Sequence, residues 1–259
     1  MSHVVNPNIP LDGLIYYIDP SNRRCFSGSG VNINNLVTSG FGGTLFNGTT
    51  ADAELRKSFI FDGSNDYITV PLPHPLTTGS SLSISLWAKW LAVGSGSTRI
   101  QTLVDNSFYD NATSYGFVLQ DRPDLGGVLE WAASPGSGVT RVRTSYSFGD
   151  NNWHHIVATN NGTTSKLYVD GVSNATTQNA NGIGNTQSTL AFGRRNSDAS
   201  RYLNGYLSNI KIYNRELTEI EIAQDYHALR SKFYPFPNYS TNGLVLYYDL
   251  SQTESYPGS

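Results

Sequence analysis

The run Leu82-Ser-Ile-Ser-Leu-Trp-Ala-Lys-Trp90 constrains the fold more than any other feature of the chain. Leu82, Ile84, Leu86, Ala88 and Trp90 occupy every second position, with Ser83, Ser85, Trp87 and Lys89 between them. Successive side chains of a strand point to opposite faces, so the run predicts a strand with one face on a core. Further strand candidates are 13–18, 57–61, 67–70, 101–105, 115–120, 128–133, 141–146, 153–159, 164–169, 189–192 and 207–213. Asn161-Gly162 and Asp170-Gly171 read as hairpin turns, because both residues of each pair tolerate positive φ. Short strands at this spacing predict an all-β, two-sheet antiparallel sandwich. At 259 residues one large domain of this kind is expected. The composition agrees: charged residues make up 14% and aromatics 12%, with Gly, Ser, Thr and Asn supplying polar turns.

One helix interrupts this pattern. Thr218-x-x-Glu221 is a capping box, and Leu217 before it can staple onto Ile222. Ile222, Tyr226 and Leu229 recur at helical spacing, and Tyr234-Pro-Phe-Pro237 reads as extended chain.

Several function classes are disfavoured. A net charge of -3 and no basic run longer than two give no reason to expect nucleic acid as a partner. No apolar stretch nears the roughly 18 residues that span a bilayer, so no membrane partner is expected. The N-terminus shows no signal peptide, so the protein is expected to be soluble, reaching the exterior by lysis if at all. Cys25 is alone, which excludes a disulfide within the chain and a cysteine-built zinc site. The five N-x-S/T sequons occur about as often as chance gives in so Asn/Ser/Thr-rich a chain, and carry no weight.

The elements also stand in a familiar order. Phe59-Ile-Phe-Asp-Gly-Ser-Asn-Asp-Tyr67, then 82–90, then Trp153-His-His-Ile-Val157 with Lys166-Leu-Tyr-Val-Asp-Gly171, then 203–215 and 217–226, resemble the successive signatures of laminin-G-like, concanavalin A-like jelly rolls. The resemblance spans residues 13 to 230 and implies a jelly roll with one short C-terminal helix. Residues 34–48 and 243–259 are similar to openings of repeats in tailed-phage structural proteins, although Ile33 stands where a Trp is usual. That resemblance implies a virion surface, decoration or fibre module. Its expected partners are other virion proteins or surface glycans, with a homo-oligomer compatible and an extracellular, secreted location the alternative. The rival functions are a carbohydrate-binding module of a secreted bacterial protein and a glycoside hydrolase.

The expected organisation is an N-terminal arm (1–12), the jelly roll (13–230), a linker (231–242) and residues 243–259. The last segment repeats 13–29 without gaps: Gly13, Leu14, Tyr17, Asp19, Ser21, Gly28 and Ser29 recur as Gly243, Leu244, Tyr247, Asp249, Ser251, Gly258 and Ser259. It is read as the start of a second repeat or as a docking strand.

Candidate sites follow from residue chemistry. Retaining glycosidases need two carboxylates about 5–5.5 Å apart, as an E-x-D-x-E strand supplies, and no strand here carries that pattern. Glu219 and Glu221 are explained by capping and the helix dipole. No enzyme is expected. His154 and His155 point to opposite faces of a strand and cannot share one metal there. Asp62, Asn65 and Asp66 gather oxygens in one turn, suiting either a hairpin or Ca²⁺. The resemblance adds that related jelly rolls carry calcium at a sandwich rim, and no other cofactor is expected. Trp87, Trp131 and Trp153 are expected in the core, with sugar stacking the alternative. Gln120, Glu130, Arg141 and Arg143 break the apolar patterns of three neighbouring strands and are the candidate ligand-binding set on an open sheet face.

Overall fold

The computed structural model describes residues 8–52, 58–71, 81–91, 99–109, 114–136, 138–178, 182–184 and 188–234. Its strands are β1 (Leu14–Ile18), β2 (Asn32–Ile33), β3 (Gly43–Phe46), β4 (Thr50–Asp52), β5 (Ser58–Asp62), β6 (Tyr67–Pro71), β7 (Leu82–Leu91), β8 (Gln101–Asp105) and β9 (Phe108–Tyr109). There follow β10 (Ser114–Arg122), β11 (Val128–Pro135), β12 (Thr140–Ser147), β13 (Asp150–Asn160), β14 (Thr164–Val169), β15 (Val172–Gln178), β16 (Thr189–Phe192) and β17 (Asn204–Tyr213). A single helix, α1 (Glu219–Phe233), ends the described chain.

All pairings are antiparallel and form two sheets, as the alternation predicts. The smaller, of eight strands, runs β15-β14-β13-β7-β17-β5-β4, with β1 also on β17. The larger, of nine, runs β12-β11-β10-β8-β16-β6-β3-β2, with β9 on β10. Between them lies one core, to which β7 gives Leu82, Ile84, Leu86, Ala88 and Trp90. Phe117, Leu119, Trp131 and Phe192 line it from the larger sheet. Ile33 takes a core position at 1% exposure, so an aliphatic side chain fills the place of the usual Trp.

Both hairpin signals hold. Val169 pairs with Val172 across Asp170 (φ 52°) and Gly171 (φ 80°), a two-residue turn that needs positive φ at both positions. The Asn161-Gly162 segment joins β13 to β14, Asn161 Oδ1 accepting the amides of Thr163 and Thr164.

Three readings of the sequence change. First, β7 is buried on both faces: Ser83, Ser85 and Trp87 are fully buried beneath α1. Second, α1 continues to Phe233 and takes residues 231–233 from the expected linker, because Phe233 stacks on Trp87 with ring centroids 4.2 Å apart. Third, the described part of the N-terminal arm, residues 8–12, is tied to the domain: Pro10 O accepts from Tyr213 Oη at 3.1 Å, and Asn8 O accepts from Gln224. Residues 243–259 lie outside the described residues, as does most of the expected linker.

Helix α1 starts where the capping box places it. Thr218 Oγ1 accepts from Glu221 N, and Glu221 Oε2 accepts from Thr218 N. Leu217 and Ile222 share an apolar cluster with Val157, Tyr168 and Tyr213, the expected staple extended onto the sheet.

Candidate functional site

Two polar clusters lie on the outer faces of the sandwich, one per sheet. Beneath α1, β7, β13 and β17 bring together Ser85, His155 and Lys211, and the helix adds Asp225; all four are fully buried. Ser85 Oγ donates to Asp225 Oδ2 at 2.5 Å, and Lys211 Nζ lies 3.1 Å from Asp225 Oδ1. His155 Nε2 lies 3.0 Å from Ser85 Oγ and 3.2 Å from Asp225 Oδ2. Burial works against the Asp225 charge, but Lys211 and the hydrogen bonds from His155 and Ser85 outweigh it and hold its carboxyl well below the usual range. Burial lowers His155, keeping it neutral. Ser, His and Asp therefore meet, yet not as a nucleophilic triad. A triad places serine on one imidazole nitrogen and the carboxylate on the other. Here both meet Nε2, Nδ1 has no partner among the described residues, and the group is fully buried. The cluster anchors the helix.

His154, one residue earlier, turns to the other side of β13, as the alternation predicts. Its Nδ1 lies 2.8 Å from Asp170 Oδ2 and its Nε2 3.2 Å from Asp150 Oδ1. Burial lowers it, but the two carboxylates outweigh that and raise it.

The second cluster lies on the larger sheet. Core-facing Leu119, Trp131 and Val142 fix the facing of β10, β11 and β12, so Gln120, Glu130, Arg141 and Arg143 all point outward. Register makes Gln120, Glu130 and Arg143 consecutive cross-strand neighbours, with Arg141 opposite Ala132. Gln120 Nε2 donates to Glu130 Oε1 at 2.8 Å, and Arg143 Nε donates to Glu130 Oε2 at 2.6 Å. All four predicted residues thus meet in one patch. Glu130 itself is only 1% exposed, so it is the floor of the patch and not a free acceptor. Burial pushes its carboxyl up, but Gln120, Arg122 and Arg143 together hold it below the ordinary value.

Sequence reasoning missed Arg122 and Arg201. Arg122 Nη1 donates to Glu130 Oε1 at 2.9 Å while its Nε holds Asp124 at 2.8 Å. Continuing the β10 alternation past Gln120 would have found it. Arg201 Nη1 donates to Gln120 Oε1 at 3.0 Å from the β16–β17 loop. Two non-glycine residues of that loop, Ala199 (φ 50°) and Arg201 (φ 59°), adopt left-handed backbone. Such conformations cost energy and persist where surrounding structure holds them, often at functional sites. No strand pattern could have foretold this contact.

The tryptophans are not platforms. Trp87 and Trp131 are fully buried and Trp153 is 7% exposed, packed against Phe233 with centroids 4.7 Å apart. Asp62, Asn65 and Asp66 do share one turn. Asp62 Oδ1 accepts the amides of Ser64, Asn65 and Asp66, at 2.7, 3.2 and 3.4 Å, and Asp66 Oδ2 accepts Asp62 N. The Ser64 amide above all holds the Asp62 carboxyl below its usual value. These are the bonds of a tight turn, but it carries the chain from β5 of the smaller sheet to β6 of the larger one, so it is not the expected hairpin. Among the described residues no group of three or more His, Cys, Asp or Glu side chains could hold a metal ion.

Two antiparallel sheets packed face to face, with polar groups gathered on an outer face, define the jelly-roll class of β-sandwich. Within it the chain belongs to the concanavalin A-like lectin/glucanases superfamily, whose Laminin_G_3 model matches residues 62–223. No curated protein matches the chain. Solved structures with the same fold include the binding domain of botulinum neurotoxin serotype D, at TM-score 0.63 and 20% identity over 83% of this chain and 51% of that one. The binding domain of Paraclostridial Mosquitocidal Protein 1 gives 0.64 and 18%, over 83% and 52%. The serotype D ligand binding domain in complex with N-acetylneuraminic acid gives 0.61 and 19%, over 83% and 50%. The chain spans about half the length of these proteins, and at such identities the likeness shows the fold.

Proposed function

We propose that the domain is a non-enzymatic glycan-binding module and that the outer face of the larger sheet, around Gln120, Glu130, Arg141 and Arg143, receives the glycan. The observation that carries this is a patch of planar polar groups locked to one another on an outward face of a concanavalin A-like sandwich. Preorganised donors of this kind bind with little ordering cost. The solved relatives are binding domains, one of them in complex with a sugar acid.

Absence of catalysis is supported by the carboxylates of this face. Glu130 is saturated by three donors, Asp124 is held through both oxygens by Arg122, and Asp105 accepts the amides of Ser107 and Asn196 at 2.7 Å each while fully buried. None offers the free oxygen that attack or proton delivery at a glycosidic bond requires. The setting we propose is a virion surface, on the likeness of 34–48 and 243–259 to phage repeats; glycan binding without particle association would instead favour a secreted module.

A glycan microarray probed with the full chain should show a restricted set of bound structures. That signal should fall in Arg143→Gln, and no reducing ends should appear from a broad polysaccharide panel. An empty array would sink the reading; turnover abolished by a single Asp or Glu substitution would replace it with an enzyme.

A further inference from the structure

We infer that this patch recognises an acidic glycan, binding its carboxylate or sulfate group between Arg141 and Arg143; the inference rests on the glycan-binding reading above. The argument is one of charge and unused donors. Glu130 and Asp124 supply two negative charges, against three positive ones from Arg122, Arg141 and Arg143. A local excess of cations thus stands on a chain whose net charge is -3. Glu130 is already engaged by Gln120, Arg122 and Arg143, which leaves Arg141 at 4.0 Å and outside hydrogen-bond reach. Arg143 spends only its Nε on Glu130, so its two Nη groups remain as donors.

Geometry makes these donors useful. Arg141 and Arg143 are two residues apart on one face of β12, their side chains 39% and 43% exposed. Two like charges held side by side repel, and an anion between them relieves that repulsion. The planar guanidinium fork fits a carboxylate or sulfate through two parallel N–H···O bonds. Arg122 and Arg201 are fixed on Asp124 and Gln120, so they hold the patch in shape while the β12 pair faces the ligand. A neutral sugar could use these groups only as ordinary donors.

The test uses the full chain and matched probes, titrated by calorimetry at two salt concentrations. The pairs are 3′-sialyllactose with lactose, an oligogalacturonate with its carboxyl-reduced form, and a sulfated chondroitin oligosaccharide with its desulfated form. At least one acidic member should bind, with its neutral partner weaker by about ten- to a hundred-fold, the size expected for losing a charge-assisted pair. Higher salt should weaken the acidic member. Arg141→Gln and Arg143→Gln should each erase most of the difference while remaining folded at the assay temperature. The sialyl and galacturonate arms report a carboxylate ligand, the chondroitin pair a sulfate. Equal affinity within every pair, insensitive to both substitutions, would overturn the inference while leaving glycan binding intact. No binding of any probe, together with an empty array, would remove both.

Discussion

The outer faces of the two sheets hold their charges in opposite ways. On the smaller sheet Lys211 and Asp225 are fully buried under α1, and aromatic side chains seal them in: Trp87, Tyr226 and Phe233 stack above the same strands. On the larger sheet the carboxylate of Glu130 is buried but two of its arginines reach solvent. In the first case every charge has its partner inside the fold. In the second, cation exceeds anion and part of the donor set is unspent. Similar residue types thus make an anchor on one side and the proposed receptor surface on the other, and the difference is a helix.

The sharpest way to break this comparison is Asp225→Ala. It leaves Lys211 buried without a counter-charge, and a loss of about 3–5 kcal/mol is expected in urea unfolding. Arg143→Gln on the opposite face should cost less, about 1–2 kcal/mol, because Glu130 keeps Arg122 and Gln120 as partners. Equal costs would show that the two faces do not differ as described.

Titration should sharpen the comparison, because Asp121 on the core side of the larger sheet and the groups under α1 have opposite pH slopes. Asp121, fully buried in the larger sheet, is pushed up to about 7, mainly by burial. Its folded value lies above its unfolded one, so the stability it contributes is present below about pH 4 and is lost as pH rises through about 7. Asp121→Asn should therefore gain on wild type with rising pH, by up to about 4 kcal/mol at pH 8. Under α1 the sign reverses. His155 is lowered by burial, so the unfolded chain takes up the proton first and stability falls as pH drops below about 6.5. Asp225, also lowered, adds a loss once pH falls below the ordinary carboxylate range. Chemical denaturation of wild type and Asp121→Asn from pH 4 to pH 8 checks both slopes. A constant offset between the two proteins would refute the Asp121 assignment.

A further effect concerns Trp153. Trp153→Ala should cost about 3 kcal/mol, the lower end for a large buried aromatic, since its ring lies at the rim under Phe233. Glycan affinity of the folded variant should be unchanged. Intact stability with lost affinity would make Trp153 part of the binding surface and move the receptor face to the other sheet.

Much of this was legible in the sequence, for reasons particular residues make plain. Period-two alternation in 82–90 and the Asp170-Gly171 turn report local backbone geometry, and both survive into the fold. The capping box of Thr218 and Glu221 likewise depends only on near neighbours. Gln120, Glu130 and Arg143 were found together because polar interruptions of apolar strands mark an outward face, and neighbouring strands put them in register. What stayed hidden is non-local. The short strands β2, β3 and β4 lie in Gly- and Asn-rich chain and exist because β3 pairs with β6, β2 with β3 and β4 with β5. That α1 would cover β7, joining Ser85 to Asp225 across a separation of 140 residues, is a tertiary fact without a sequence pattern. The reach of Arg201 depends on a loop in left-handed backbone.

Strand β17 sits at the middle of the smaller sheet, with β7 along one edge and β5 and then β1 along the other. Leu14 finds its partner Tyr213 about 200 residues later in the chain. During synthesis β1 leaves the ribosome first and then waits roughly 10–40 s at ordinary elongation rates for β17 to follow. Throughout that interval Tyr16 and Ile18 have no core to enter, and β5 and β7 have no strand to join them. Closure of the sheet thus has to wait for β17, the one strand that pairs with β1, β5 and β7 alike. A chain arrested anywhere before residue 204 would carry unpaired strand edges into a crowded cell, the condition under which β-rich nascent chains call on chaperones.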